Sequence, residues 1–113
     1  MVAGMELRRP SYFALATLID GPLHGYAIVQ RAAELSDGDV RLSTGTLYAL
    51  LDRAIDAGLI TAGEPYLEGG RRRRDYSLTQ AGRDDLRAEA ERLAHAARTV
   101  KRRLALTARA VAQ

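Results

Sequence analysis

The sequence predicts a mainly α fold with a small β-hairpin, ending in one long helix. Three observations carry this reading: helical spacing of apolar residues in three short segments before Gly58, two strand-like runs hinged on Gly69-Gly70, and an apolar heptad seam after Thr79. At 113 residues, 47% of them hydrophobic, the chain has room for one core plus an extension that packs elsewhere. The natural division is a folded unit at residues 1–79 followed by a helix at residues 80–113.

The first helix is read at Ser11–Ile19, where Thr17 is the one polar residue after the opening serine. A helix apolar nearly all round must be covered on more than one side, so Tyr12 and Phe13 are candidates for contact with a second chain. Gly21-Pro22 is a turn, and a second helix runs from His24 to Leu35 with Ile28, Ala32 and Leu35 on one face, ended by the polar Ser36–Asp39. The third begins at Ser43, whose hydroxyl suits the cap position. Leu47, Leu50, Leu51, Ala54 and Ile55 form its apolar face, and Gly58 stops it. Its other face carries Gly45, Thr46, Ala49, Asp52 and Arg53, two of them small enough to let another molecule approach the backbone.

Ile60–Leu67 reads as a strand, with Gly63 and Pro65 marking an edge or a bulge. Glu68-Gly69-Gly70 is a turn, and Arg71–Leu78 returns. Three helices followed by a basic hairpin is the order of a winged helix-turn-helix. From Thr79 the chain is helical to near its end, with Leu86, Ala90, Leu93, Ala97, Val100 and Leu104 spaced 4-3-4-3-4. Such a seam needs a partner helix, most economically its copy in a second chain, which makes this a dimerisation helix and the assembly a twofold homodimer.

Chemistry concentrates at two places. Formal charge is +3 and the pI about 9.7, and every basic residue except Lys101 is arginine. Arg71, Arg72, Arg73 and Arg74 follow the Gly-Gly turn with only Asp75 to balance them. A basic wing can follow a phosphate backbone or enter a minor groove, releasing counterions as it does so. Arg71, Arg72 and Arg73 are read as the contacting tip and Arg74 as partly structural. The start of the third helix, Ser43, Thr44, Gly45 and Thr46, offers hydroxyls and free amides suited to phosphate contact and groove entry. Tyr48 fits either a half-buried core position or a phosphate contact, and Arg53 either a phosphate or a pairing with Asp56. Tyr26 is placed to donate to a phosphate where the second helix crosses the backbone, whereas His24 reads as a capping or packing residue. Arg98–Arg103 reads as the wet face of the long helix.

Cysteine is absent and the histidines number two, so neither a metal nor any other cofactor is expected. The chain lacks a nucleophile with a placed base and a phosphate-cradling loop, which argues against an enzyme. No stretch approaches the ~20 apolar residues of a membrane span. Met1–Leu7 has no signal-like apolar run, so a cytoplasmic, nucleoid-associated protein is expected.

Five blocks carry a family resemblance: Gly21 to Ile28 (Gly-Pro-Leu-His-Gly-Tyr-Ala-Ile), Ser43 to Tyr48 (Ser-Thr-Gly-Thr-Leu-Tyr), Ala57 to Ile60 (Ala-Gly-Leu-Ile), Gly69-Gly70-Arg71, and Asp75 to Gly82. In this order the sequence resembles the PadR family of bacterial transcriptional regulators, in its short form with a single C-terminal dimerisation helix. The resemblance implies a homodimeric repressor on a palindromic double-stranded operator, released by a small effector. It implies DNA contacts at Tyr26, Ser43, Thr46, Tyr48, Gly70 and Arg71. The chain departs from the family at Thr44 and Ala49, where proline is usual, and at Asp52, where a basic residue is common. It also lacks the tryptophans on which some relatives stack planar drugs. The alternative reading is a winged-helix protein-interaction module that does not bind DNA.

Overall fold

Pro10 decides where the chain first turns helical. Its fixed φ suits a first helical turn, and in the computed structural model, which describes residues 4–112, helix α1 spans Arg9–Ala16 with Pro10 in that turn. The helix is thus shifted toward the N-terminus from the expected Ser11–Ile19. Thr17 follows it, buried, its hydroxyl donating to the Ala14 carbonyl at 2.6 Å. Met1, Val2 and Ala3 of the N-terminal reading, and Gln113 of the predicted 80–113 segment, lie outside the described residues.

After the turn at Gly21, β1 (Leu23–His24) leads directly into α2 (Gly25–Leu35). Ile28 and Ala32 are buried as their spacing predicts, but Leu35, in the last turn, is exposed. The link to the next helix folds on Ser36, whose hydroxyl oxygen accepts from the Val40 amide at 2.8 Å while Val40 and Leu42 enter the core. Helix α3 (Thr44–Asp56) buries Leu47, Leu50, Leu51 and Ala54, the face its periodicity predicts. Ser43 caps it, its Oγ accepting from the Thr46 amide at 3.2 Å.

Each predicted strand of the hairpin is divided in two. β2 (Ile60–Ala62), β3 (Tyr66–Glu68), β4 (Arg71–Arg73) and β5 (Asp75–Leu78) form two sheets, an antiparallel β1-β5-β2 sheet and a separate β3-β4 pair. The division has a count behind it. Between the pairs Ala62↔Tyr76 and Tyr66↔Arg73, three residues (63–65) oppose two (74 and 75). One extra residue makes a bulge, and Pro65 has no N–H with which to continue the ladder.

Helix α4 (Gln80–Ala112) begins in the same core. Gly82 and Leu86 are buried, and Leu86 at 7% exposure packs within its own chain, where the heptad reading had placed it against a partner. From Glu91 onward every described residue of α4 is exposed. The whole is a winged helix-turn-helix with a long C-terminal helix, and no helix is long and apolar enough to cross a membrane among the described residues.

Candidate nucleic-acid interface

The exposed side of α3 begins with a small hydroxyl network. Ser43 Oγ donates to Thr46 Oγ1 at 3.0 Å as well as capping the helix, and Thr44, Gly45, Tyr48, Ala49 and Arg53 are exposed around it. No ion pair joins Arg53 to Asp56, so of its two readings the internal pairing is absent among the described residues. Tyr48 is 46% exposed. Its hydroxyl lies over the start of α2, where a β-carbon built on Gly25 would come within 2.9 Å of it. The absence of a side chain at Gly25 therefore lets α2 and α3 close up. Tyr26, next in the chain, is 62% exposed and accepts a 3.2 Å bond from Gln30 Nε2.

The wing is a tight hairpin. Glu68 pairs with Arg71, leaving Gly69 and Gly70 as a two-residue loop with φ of 56° and 76°. Positive φ at both central positions is the turn whose twist matches that of antiparallel strands, and glycine adopts it without steric cost. Alternation along β4 puts Arg72 on one face, opposite the exposed Leu67, and Arg71 and Arg73 on the other.

Between the wing, the start of α2 and Tyr48 lies a cleft of about 350 Å³. Tyr26, Tyr48, His24 and all four arginines of the run line it, so residues singled out separately along the chain share one side of the molecule. Within the run burial is uneven. Arg73 is the half-buried member, with Nη1 3.0 Å from both ring nitrogens of His24 and Nε 3.4 Å from Glu68 Oε2. Arg74, read as the structural one, is exposed at the bulge. Sequence inspection could not find the Arg73–His24 contact, because 49 positions separate the two. Nor did it find the second bridge across the bulge, the Tyr66 hydroxyl donating to Asp75 Oδ1 at 2.6 Å. That bond to a carboxylate raises the Tyr66 pKa above the ordinary phenol value. Tyr76 is raised too, chiefly by burial beneath the cleft.

The residues expected at a dimer interface group elsewhere. Tyr12 and Phe13 stand edge to face with ring centroids 5.4 Å apart, and the Arg9 guanidinium lies 5.3 Å from the Phe13 centroid. They line an open groove together with Met5 and with Leu93 of α4. Ala90, Leu93, Ala97, Val100 and Leu104 are all exposed along α4. No cluster of three or more His, Asp or Glu side chains able to hold a metal occurs among the described residues.

Comparison with known proteins gives one family match: residues 14–88 match the model described as the transcriptional regulator PadR-like family. Over 90 residues the chain is 43% identical to an uncharacterized 37.1 kDa protein in a transposon of Streptomyces fradiae, covering 80% of this chain but 24% of the length of that relative. Among solved structures it is similar to a transcriptional regulator from Clostridium thermocellum (TM-score 0.68, 23% identity, 80% of this chain and 88% of that one). It is also similar to Bacillus subtilis PadR in complex with operator DNA (TM-score 0.61, 26% identity, 70% of this chain and 46% of that one).

Proposed function

The chain belongs to the transcriptional regulator PadR-like family, and from that premise we propose that it binds duplex DNA as a homodimeric repressor of a palindromic operator, released by a small effector. As a member of a family of transcription regulators it is not an enzyme. The observation that carries DNA binding is the shared cleft, which lines up Tyr48 of α3, Tyr26 and the wing arginines on one side. In this reading the first turn of α3 enters the major groove and supplies base choice, while Arg71, Arg72 and Gly70 follow the adjacent backbone. The likeness to a PadR protein solved in complex with operator DNA supports DNA as the ligand.

Homodimerisation is supported by the unpartnered seam of α4 and the groove at Tyr12 and Phe13 beside Leu93. Twofold symmetry then sets two recognition helices about 34 Å apart, one turn of DNA, and calls for a palindrome. Repression and release by an effector are what the family resemblance implies.

The test is equilibrium binding to duplex DNA over a range of salt. Arg71→Ala and Arg72→Ala should each weaken binding and lower the slope of log K against log salt by about 0.9. Wild-type protein that shows no salt-sensitive retention on duplex DNA overturns the assignment in favour of a winged-helix interaction module. Footprinting upstream of the protein's own gene tests the operator, with a protected palindrome as the expected result.

A further inference from the structure

The wing's two-stranded tip is joined to the three-stranded sheet across a bulge where strand pairing lapses. A lone two-stranded hairpin is marginally stable in water, so what spans the break sets the direction in which the tip points. Two side-chain bridges do so: Tyr66 to Asp75, and Arg73 to His24. We propose that Arg73 is a positioning residue, a clip that holds the wing against α2 through His24, and that the arginines available to phosphate are Arg71, Arg72 and Arg74. The inference rests on the reading of the chain as a DNA-binding regulator and deepens it.

Arg73 differs from its neighbours in burial and in partners. Its side chain is 22% exposed. Nη1 lies against the imidazole of His24, and Nε faces the Glu68 carboxylate at ion-pair distance without hydrogen-bond geometry, shut off from solvent. With Nη1 and Nε held in this way, a phosphate contact through either would break one of these contacts.

His24 is itself held from two sides. Its Nδ1 accepts from the Ala27 amide at 3.3 Å as the cap of α2, and its Cα pairs with Asp75 in the sheet. The clip therefore ties the wing both to the sheet and to the helix that carries Tyr26.

The variants Arg73→Ala and His24→Asn separate positioning from phosphate contact. Asparagine caps a helix well, so His24→Asn keeps the start of α2 while removing the ring that Arg73 packs on. With the full chain and a mixed-sequence duplex of about 30 base pairs, Arg73→Ala should weaken binding about fivefold at every salt concentration and leave the salt slope at the wild-type value. His24→Asn should do the same, and the double variant should be no weaker than either single one. Amide exchange at residues 66–73 should quicken in both variants while the core of α3 stays protected.

A slope lowered by about 0.9 in Arg73→Ala, as for Arg71→Ala, makes Arg73 a phosphate contact and overturns the clip. Additive effects in the double variant, or unchanged wing exchange, overturn it as well. Failure of the wild type to bind any duplex removes the regulator reading instead, and the exchange measurement then still decides the clip.

Discussion

At Gly82 an added β-carbon would sit 2.2 Å from the Leu59 carbonyl oxygen and 2.6 Å from Leu78 Cδ1. The first contact is with backbone, which cannot step aside, so Gly82→Ala must push α4 off the sheet even though alanine is the better helix former. We expect a loss of about 3 kcal/mol or more and a midpoint at least ~10 °C lower in thermal circular dichroism. An unchanged midpoint would mean that α4 does not dock there. Gly25→Ala is a contrasting case. Its new methyl meets the end of the half-exposed Tyr48 side chain at 2.9 Å, which can swing outward, and Leu47 Cδ2 at 3.2 Å, which must give by a few tenths of an ångström. The expected result is a small change in stability, within about 1 kcal/mol, with a larger loss in DNA affinity as Tyr48 is displaced from the cleft. Thermal melting and duplex titration on the same sample separate the two effects. Residue types at the candidate interface were legible in the sequence, because hydroxyls at a helix start and arginines after a glycine turn announce themselves. Which arginine turns inward was not, because that depends on where His24 comes to lie.

The wing shows how little sequence specifies a short element and how much that little matters. Gly69 and Gly70 both sit at positive φ, which the Gly-Gly pair adopts without steric cost, so the hairpin loop is written in two residues. Gly69→Asn, which gives the favoured Asn-Gly turn, should leave wing exchange and DNA affinity near wild type. Gly70→Val puts a β-branched residue in the left-handed region at a cost of roughly 1–3 kcal/mol. It should speed amide exchange at residues 66–73 and weaken duplex binding, with no comparable fall in the melting midpoint. Slowed exchange or unchanged binding in Gly70→Val would contradict the hairpin geometry. The bulge between the sheets was only half visible in advance: Gly63 and Pro65 marked irregularity, but the mismatch of three residues against two emerges from the pairing register.

The molecule as a whole is elongated, measuring 67 × 35 × 23 Å with a radius of gyration of 17.7 Å. A compact chain of this length would have a radius near 13 Å. The excess is α4, whose 33 residues make a rod about 50 Å long buried only near its start. Leu93, Val100 and Leu104 stand exposed along it at heptad spacing. The dimer reading therefore predicts a sedimenting mass about twice the 12.3 kDa of one chain for the wild type. Leu93→Asp combined with Val100→Asp should return it to one chain and sharply weaken operator binding while the winged unit stays folded, since neither residue is in its core. A wild type that sediments as a single chain at micromolar concentration would end the dimer reading, and with it the expected half-site spacing.

The sequence by itself determined the periodic elements: the buried face of α3, the length of α4, the cap at Ser43 and the glycine turn of the wing. Each is encoded within a few residues, in apolar spacing or in one residue's backbone preference. Tertiary structure alone decided the rest. The strand Leu23–His24 is two residues long, too short to show any alternation, and exists because Tyr76 and Asp75 pair with it. Leu86 fits the heptad seam as well as its neighbours do, yet it is buried at home because it lies near the start of α4, where the helix still rests on the core. Arg73 turns inward because the folded chain brings His24 to it from 49 positions away, a juxtaposition that no local pattern encodes.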